Sequence, residues 1–412
     1  MGFFKLQMAL VAVVGMCVLN ILLGWHSKAL TQSFAQRAYN LNYSLNTSNL
    51  SLAPDLADSG GEVGLVNISS FFKDFIPAKN NVWNLKQHQM FRLLDSLRLQ
   101  GAAQYRPSRA CNASAAAATP IADAASYSEA HRDFLRYMDC KDYPQRLDHP
   151  GKCEGGAFLL LVVKSVVANF ERRQAVRETW GREGTLAGAR VLTLFLLGSA
   201  SGAGRGPDLQ GLLDHEDRLH GDILQWEFKD TLYNLTLKDY LFLRWATAHC
   251  LAARYVFKGD DDIFLNTPVL LGYLQSLEAG RGDQLYVGQT IVNASPLRDK
   301  KSKYSIPLPF YDGAYPAYAG GGGFLYSGRL LPSLYAVSHY IPFFPIDDVF
   351  TGMCFSALGV PSLHHAGFRT FDIEAQRRDD PCAHADLILV HQRSPQQTTQ
   401  LWRALYSPDL KC

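Results

Sequence analysis

The sequence predicts an α/β fold in which helices flank a largely parallel sheet. Short runs of aliphatic, β-branched and aromatic residues alternate with longer amphipathic segments from about residue 158 onward, a pattern typical of strand–helix–strand units. Three consecutive carboxylates directly follow one of the short runs, and ligand sites of α/β sheets lie at the carboxyl ends of strands. The sequence contains neither GxGxxG nor GxxxxGK[ST], which excludes the dinucleotide fingerprint and the P-loop.

The individual elements follow from hydrophobic periodicity. Upstream of the alternating region we expect a helix over 82–99 and a short amphipathic helix over 129–137. The alternating region predicts strands over 158–163, 191–197, 223–228 and 255–257, and helices over 170–180, 209–219 and 235–250.

Composition limits the class of protein. The 412 residues are 47% hydrophobic and 19% charged, enough for one large domain or two small ones. The net charge is +2, from 40 basic and 38 acidic residues. A nucleic-acid-binding protein needs a strongly basic face, so we expect no nucleic-acid partner.

The N-terminus predicts a membrane anchor. An uncharged apolar run extends from about residue 6 to residue 25, long enough to span a bilayer core. A cleaved signal peptide is the alternative, because Ser27 and Ala29 offer a small-x-small cleavage site. With an alanine-rich linker over 113–126, we expect a cytoplasmic tail over 1–5, an anchor in the lipid bilayer over 6–25, a lumenal stem over 26–126 and the compact domain over 127–412.

Glycosylation motifs place the chain beyond the anchor in the secretory lumen. Asn-x-Ser/Thr begins at Asn42, Asn46, Asn49, Asn67, Asn112 and Asn234. A seventh match at Asn293 is followed by Pro296, which makes it a poor acceptor.

Cysteine usage agrees with this compartment. Seven cysteines lie beyond the apolar run and none forms a CxxC pair, which argues against a structural zinc site. We expect up to three disulfides and one unpaired cysteine, with the connectivity left open.

The carboxylates Asp260, Asp261 and Asp262 follow the apolar run Tyr255-Val256-Phe257 and precede a second apolar run. Adjacent carboxylates repel one another, and a divalent cation that prefers oxygen ligands relieves this. A solvated loop is the alternative, but the flanking apolar residues argue against it. A calcium EF-hand loop does not fit, because Leu265 stands where that loop has glycine.

Two further segments predict chemistry. Gly320–Gly323 follows Phe310, Tyr311, Tyr315 and Tyr318, so that backbone can approach a ligand closely and a tyrosine can stack on a sugar ring. The alternative is a flexible loop.

Asp347 and Asp348 also lie between apolar residues. A buried carboxylate at this position has a raised pKa and suits a general base. Alternatively, one of the two caps a helix over 351–358, and Asp347 is the better placed for capping.

A histidine and two arginines complete the candidates. His391 ends an apolar strand, where it is either a structural residue or a metal ligand. Arg173 and Arg177 are spaced i, i+4, so they either grip a diphosphate or form surface ion pairs with Glu171 or Glu178.

Together, these motifs resemble the β-1,3-glycosyltransferases, most closely the β-1,3-N-acetylglucosaminyltransferases that extend poly-N-acetyllactosamine. The resemblance covers about residues 127–412 and is carried by six ordered motifs: Phe170-Glu171-Arg172-Arg173-Gln174-Ala175-Val176-Arg177-Glu178-Thr179-Trp180-Gly181, Lys258-Gly259-Asp260-Asp261-Asp262, Tyr318-Ala319-Gly320-Gly321-Gly322-Gly323-Phe324, Pro345-Ile346-Asp347-Asp348-Val349, Gly367-Phe368-Arg369-Thr370-Phe371-Asp372 and Val390-His391.

The resemblance implies a GT-A catalytic domain, Mn²⁺, a UDP-N-acetylglucosamine donor, a β-galactoside-terminated acceptor and a single-pass type II protein of the Golgi membrane. It is also compatible with a homo-oligomer or a hetero-oligomer with other glycosyltransferases. It also implies roles for individual residues. Asp262 and His391 match metal ligands, and Asp348 matches the catalytic base. Lys164, Arg173, Arg177, Asp260 and Asp261 match the donor site, and Tyr318, Gly321, Gly322 and Asp347 match the surroundings of the sugars.

One base and one metal suffice for a single in-line displacement that inverts the anomeric centre. The sequence therefore predicts an inverting transferase that moves N-acetylglucosamine to the 3-hydroxyl of a terminal β-galactose. A β-1,3-galactosyltransferase of the same family is one alternative. A metal-dependent lectin-like binding protein and a metal-dependent phosphohydrolase are alternatives from other classes.

Overall fold

A computed structural model describes residues 63–106, 127–199, 208–277 and 281–412. The α-helices of these residues are α1 Ser70–Phe75, α2 Val82–Leu99, α3 Glu129–Tyr137, α4 Phe170–Glu178, α5 Leu209–His220, α6 Leu235–His249, α7 Thr267–Ser276, α8 Leu331–Val337, α9 Asp347–Ala357 and α10 Pro395–Leu405.

The strands are β1 Val63–Gly64, β2 Gln104–Tyr105, β3 Gln145–Leu147, β4 Ala157–Lys164, β5 Gly184–Leu186, β6 Ala189–Ser199, β7 Ile223–Lys229, β8 Ala253–Asp260, β9 Ile263–Leu265, β10 Tyr286–Gly288, β11 Thr290–Ile291, β12 Tyr318–Ala319, β13 Gly323–Ser327, β14 Leu363–His364, β15 Phe368–Arg369 and β16 Leu389–His391. The strands and helices predicted from periodicity between residues 158 and 257 are confirmed as β4, α4, β6, α5, β7, α6 and β8.

The main sheet of the described residues has the order β14-β10-β13-β8-β4-β6-β7-β3, with β5 beside β6. Its centre is parallel, because β8, β4, β6 and β7 pair in parallel and are joined through helices. Its flanks are largely antiparallel: β13 pairs with β8 and β10, β3 with β7, and β5 with β6. The sheet is therefore mixed rather than largely parallel, since antiparallel neighbours need no helical crossover and leave no helix signal in the sequence.

Strand β4 shows why the sheet is covered on both faces. Leu160 and Val162 contribute to one hydrophobic cluster and Leu159, Leu161 and Val163 to the other, and all five are fully buried. Alternate residues of a strand point to opposite faces, so an unbroken apolar run requires a layer of helices on each side.

Residues 63–106 contribute side chains to this core, whereas the compact domain was expected to start at residue 127. The side chains of Phe72 and Trp83 are fully buried, and the Trp83 indole donates a hydrogen bond to the Pro342 carbonyl at 3.0 Å. Helix α2 matches the predicted helix, but its packing partners lie more than 200 residues later, as in the contact of Trp83 with Tyr311. Sequence periodicity carries no record of such distant partners.

The disulfides agree with the cysteine expectation. Cys153 pairs with Cys250 and Cys382 with Cys412. Cys140 is also disulfide-bonded, and Cys354 is free and buried. The first disulfide ties β4 to the end of α6, and the second ties the C-terminus to the segment before β16.

The predicted anchor, the alanine-rich linker and the sequons at Asn42, Asn46, Asn49 and Asn112 lie outside the described residues. Among the residues that are described, no helix has the length and apolar character needed to cross a membrane. Asn67 is exposed, whereas the amide of Asn234 donates a hydrogen bond to the Lys229 carbonyl at 2.8 Å.

Candidate active site

The site begins where β4 and β8 end. The two strands are parallel neighbours, and their register places Lys164 beside Asp260. The Lys164 ammonium lies 2.9 Å from the Asp260 carboxylate. Because parallel strands present their carboxyl ends at one edge of a sheet, a cation and the first carboxylate of the acidic triplet meet at this edge.

A second sheet brings His391 to the same place. Strands β15, β16 and β9 form it, and His391 pairs with Ile263, directly after the triplet. The His391 Nε2 atom lies 3.2 Å from a carboxylate oxygen of Asp262 and 3.7 Å from one of Asp260. Ligand atoms of these three residues all lie within 4.8 Å of one another, which is the spacing of a set that can share one cation.

The donor chemistry of this triad fits a divalent transition metal. The Nδ1 atom of His391 lies 3.0 Å from the Thr370 carbonyl, a contact that makes it the protonated nitrogen and leaves Nε2 as the ligand. Two carboxylates and one imidazole suit an ion such as Mn²⁺. Burial is the largest single influence on Asp262 and acts to raise its pKa, but the His391 imidazole and the Arg172 guanidinium together outweigh burial and lower this pKa, which favours the ionised form that binds a cation.

Asp261 is the member of the triplet that turns away from the triad. Its carboxylate accepts hydrogen bonds from the Ser165 hydroxyl at 2.6 Å and the Asn169 amide at 2.9 Å, and lies 3.3 Å from the Arg172 guanidinium. These bonds fix the turn between β8 and β9. Asp261 therefore positions its two neighbours, and only Asp260 and Asp262 of the predicted acidic set join the triad.

Helix α9 carries the second pair of carboxylates at its start. The helix begins at Asp347, so its N-cap residue is Ile346, and the side chain of Ile346 makes no capping hydrogen bond. The expectation that Asp347 caps the helix is therefore wrong. Its carboxylate instead accepts a 2.6 Å hydrogen bond from the buried Lys164 ammonium and lies 3.9 Å from the ammonium of Lys258.

The pKa values of the two neighbouring carboxylates diverge. Burial acts to raise the pKa of Asp347, but the ammonium groups of Lys164 and Lys258 outweigh burial and hold this pKa below its usual value. Burial and the negative charge of Asp347 raise the pKa of Asp348 to about 7. Two carboxylates whose environments separate their pKa values in this way take different roles, and a pKa near neutrality suits Asp348 for proton transfer.

The glycine-rich segment lies between the triad and Asp348. A Cβ atom at Gly321 would lie 3.0 Å from the Asp348 Oδ2 atom, and one at Gly322 would lie 2.8 Å from the Thr370 hydroxyl and 3.0 Å from the His391 ring. A side chain at Gly322 would force its neighbours to shift, and one at Gly321 would crowd the Asp348 carboxylate. The backbone therefore lies close to the candidate catalytic side chains, and strand β13 follows the segment; the expected close approach to a ligand stays a prediction.

The tyrosines around this segment divide into core and site residues. Phe310 and Tyr311 are fully buried in the core and Tyr315 is nearly so. Tyr318 lines the cavity with Tyr315 and is less buried. We name this space the catalytic cavity; it has a volume of about 450 Å³, and its walls include Lys164, Asp260, Gly320, Gly321, Gly322, Asp347, Asp348 and His391.

Arg173 and Arg177 are directed elsewhere. Arg173 is fully buried and forms a two-bond ion pair with Glu216 at 2.7 and 2.9 Å. Arg177 binds the same carboxylate at 2.6 Å and that of Asp222 at 2.7 and 2.8 Å. The structure does not bring these arginines to the catalytic cavity, and their partners are neither Glu171 nor Glu178. Glu216 and Asp222 follow in distant elements, which the spacing within α4 does not reveal.

Sequence reasoning missed three contributors. The Thr370 carbonyl orients the His391 ring through Nδ1, and the Thr370 hydroxyl accepts a hydrogen bond from the Gly322 amide at 2.9 Å. Arg172 lies 3.3 Å from both Asp261 and Asp262. Lys258 pairs with the buried Asp239. All three stand inside motifs that the resemblance rests on, so a polar residue within such a motif was the available signal.

A candidate metal-ligand triad and a separate carboxylate of raised pKa therefore lie at one cavity. A family model described as Galactosyltransferase matches residues 171–366. N-acetyllactosaminide beta-1,3-N-acetylglucosaminyltransferase 2 of Mus musculus is 47% identical over 302 residues, which are 73% of this chain and 76% of the relative. The chain belongs to the β-1,3-N-acetylglucosaminyltransferase family, and the resemblance read from its motifs is confirmed.

Two further relatives show how far the likeness extends. UDP-GlcNAc:betaGal beta-1,3-N-acetylglucosaminyltransferase 7 of Rattus norvegicus is 44% identical over 289 residues, 68% of this chain and 72% of the relative. UDP-GlcNAc:betaGal beta-1,3-N-acetylglucosaminyltransferase 8 of Mus musculus is 37% identical over 416 residues, 99% of each chain. The second alignment includes the N-terminal region as well as the described domain.

Proposed function

We propose that this chain transfers N-acetylglucosamine from UDP-N-acetylglucosamine to the 3-hydroxyl of a terminal β-galactose, and so extends poly-N-acetyllactosamine on glycoproteins or glycolipids. The observation that carries the proposal is the pairing of a metal-competent triad with Asp348 across one cavity. The names of the relatives supply the donor, the acceptor sugar and the linkage.

The triad of Asp260, Asp262 and His391 is proposed to hold Mn²⁺ against the donor diphosphate. When bound, this ion supplies Lewis-acid neutralisation of the charge that develops on the leaving UDP. Asp261 keeps the turn rigid through Ser165 and Asn169, and Thr370 keeps Nε2 of His391 directed at the carboxylates. The chain thus orients the ligands before substrate arrives, and reorganisation during the reaction is small.

Asp348 is proposed to take the proton from the attacking 3-hydroxyl. Its carboxylate lies beside Gly321, where the absence of a side chain leaves room for the acceptor. Nucleophile and leaving group occupy opposite sides of the anomeric carbon in a single displacement, so the product has the inverted, β configuration. A general base of this kind accounts for roughly 10²–10⁴-fold in rate.

Lys164 and Asp347 are proposed to position the two halves of the site relative to each other. The Lys164 ammonium contacts Asp260 of the triad and Asp347 beside the base. The donor contact that the resemblance implies for Lys164 stays a prediction, since Lys164 also lines the catalytic cavity. Tyr318, on the cavity wall, is proposed to pack against a substrate sugar.

The remaining features belong to the same proposal. We place the described domain in the GT-A class, on the lumenal side of the Golgi membrane, with residues 6–25 as the type II anchor and the sequons as glycosylation sites. Association with a second copy or with another glycosyltransferase is also compatible with this topology. N-terminal sequencing that begins near Leu30, or an unchanged mass after N-glycosidase treatment, would contradict the topology.

Release of UDP, measured with and without a β-galactoside, tests the reaction. We expect acceptor-dependent release from UDP-N-acetylglucosamine and little release from UDP-galactose. Preference for UDP-galactose would indicate a galactosyltransferase. Release from simple phosphate esters would indicate a hydrolase, and binding of galactosides with no release from either donor would indicate a lectin.

A further inference from the structure

A second cavity lies beside the catalytic cavity. Its volume is about 780 Å³, within the range of about 300–1,000 Å³ in which small-ligand pockets fall. Its walls come from the start of α3, from residues 231–233 and from the loop 297–309. Leu232 lines both cavities, so the two spaces share a wall.

The loop over residues 297–306, here called the basic loop, borders both cavities. Leu297 and Tyr304 line the catalytic cavity, whereas their chain neighbours Arg298 and Lys303 line the second one. The neck of the loop is closed by a 2.8 Å hydrogen bond from the Ile306 amide to the Leu297 carbonyl. Arg298 donates a further bond to the Ile306 carbonyl at 2.7 Å. The basic loop is thus held at its neck and forms part of the wall of both cavities.

The second cavity is lined by cations. Arg298, Lys300, Lys301 and Lys303 contribute to its walls and are exposed, and among the described residues no carboxylate lines it. The acid of the basic loop is Asp299, whose carboxylate accepts a hydrogen bond from the Lys301 amide at 3.0 Å. Within the described ranges, neither Lys301 nor Lys303 forms an ion pair. The side chain of Lys303 lies over the Tyr304 ring at 4.9 Å.

An aromatic floor accompanies the cations. The His131 ring stacks between Tyr127 and Tyr233, with centroid distances of 5.1 and 5.0 Å. Burial lowers the pKa of His131 to about 4, so this ring is neutral at physiological pH. The positive charge of the cavity consequently comes from the basic loop.

We propose that the second cavity binds an anionic substituent, a sulfate ester or a carboxylate, on the acceptor glycan whose terminal sugar reacts at Asp348. This inference rests on the proposed transferase function and adds a charge class to its acceptor. The shared wall favours a glycan over a separate macromolecule, because one extended ligand then occupies both cavities. The ammonium groups of Lys301 and Lys303, which form no ion pair within the described ranges, favour an anion over a neutral chain.

The test uses the full-length chain in detergent with UDP-N-acetylglucosamine and three acceptors. The first is the neutral N-acetyllactosamine tetrasaccharide. The second carries sulfate on the 6-hydroxyls of both N-acetylglucosamines, and the third carries carboxymethyl groups at these positions. We expect KM for the charged acceptors to be lower by about three- to tenfold, with similar kcat, because exposed ion pairs are individually weak. A sulfate preference over carboxymethyl, or the reverse, identifies the source of the charge.

Matched variants assign the effect to the basic loop. Lys301→Ala with Lys303→Ala should remove the KM advantage, whereas the corresponding double change to arginine should keep it. Arg218→Ala, which removes an exposed cation from α5, should also keep it. Raising the salt concentration should shrink the advantage of the wild-type protein, because exposed charges are screened.

The outcomes separate the two proposals. If the neutral acceptor is extended but the charged acceptors have no lower KM, or if the double alanine variant keeps the advantage, the anion site is wrong and the transferase stands. If none of the three acceptors is extended, the transferase proposal fails and the anion site fails with it. If the double alanine variant loses only binding to phosphatidylserine vesicles, the basic loop is a membrane contact and the anion site is overturned.

Discussion

Two clusters of charged side chains in this protein differ in charge balance. In the first, two arginines face two carboxylates: Arg173, Arg177, Glu216 and Asp222. In the second, three cations face six carboxylates: Lys164, Lys258 and Arg172 against Asp239, Asp260, Asp261, Asp262, Asp347 and Asp348.

The difference in charge balance separates a cluster that stabilises the fold from a cluster that can bind a ligand. In the first cluster, hydrogen bonds and opposite charges are matched within the protein, so it contributes to the fold. In the second cluster, as far as the structure describes it, the carboxylates outnumber the cations that face them. Asp260 and Asp262 therefore retain the capacity to bind a cation. Buried unmatched charge is costly, and such a cost is tolerated where a cation or a proton enters during function.

Removing a triad ligand should break the second cluster most severely. Asp262→Ala deletes one of two carboxylate ligands, and we expect Mn²⁺-dependent transfer to fall below detection while the protein still folds and is secreted. His391→Ala should weaken transfer strongly. Asp409→Ala, an exposed carboxylate elsewhere, is the control and should retain activity. Full activity of the wild-type protein in EDTA would show that the triad holds no essential metal.

Replacing the candidate base should give the next largest effect. Asp348→Asn preserves shape and removes basicity, so kcat should fall by roughly 10²–10⁴-fold while the affinities for UDP-N-acetylglucosamine and Mn²⁺ stay near those of the wild type. Asp347→Asn should show a smaller loss in kcat, with reduced stability or a higher acceptor KM. Turnover of Asp348→Asn near the wild-type rate would place the base elsewhere.

Adjacent arginines allow a direct comparison of the two clusters. Arg173→Met removes a buried partner of Glu216 and should destabilise the fold by about 3–5 kcal/mol, with near-normal kcat in the fraction that remains folded. Arg172→Met removes a half-exposed contact of Asp261 and Asp262, and should raise the donor KM or the Mn²⁺ requirement with little change in Tm. Thermal unfolding and kinetics of both variants measure the contrast. If Arg172→Met lowers Tm and Arg173→Met changes only the kinetics, the first cluster is not the structural one and the second is not the catalytic one.

The pH profile gives the smallest and most specific effect. Asp348 must be deprotonated to accept a proton, and its pKa is raised to about 7. The kcat/KM of the wild type should therefore rise with pH and level off above about 7. Asp347→Asn removes the neighbouring negative charge, which lowers the Asp348 pKa, so the rising limb should move to lower pH whatever the remaining rate. A limb that does not move would show that the two carboxylates are not coupled.

Much of the site was predictable because its residues stand in short, local motifs. Asp262, His391, Asp348 and the glycines of the 320–323 segment were all identified before their geometry was known. Local pattern also gave the strands and helices between residues 158 and 257, since each has its own apolar periodicity. The antiparallel flanks of the sheet were missed, because no crossover helix announces them.

The sequence by itself determined which residue types are available for chemistry, and which segments are strands or helices, because both depend on neighbours in the chain. The tertiary structure decided which charges are matched. Lys164 meets Asp347 across 183 positions, Arg173 meets Glu216 across 43, and Trp83 meets Pro342 across 259. The state of a charged group depends on burial and on partners at hydrogen-bond distance. That distance is set by folding and not by spacing in the chain, which is why the motifs did not reveal the ion pairs of Arg173 and Arg177 or the lysine contact of Asp347.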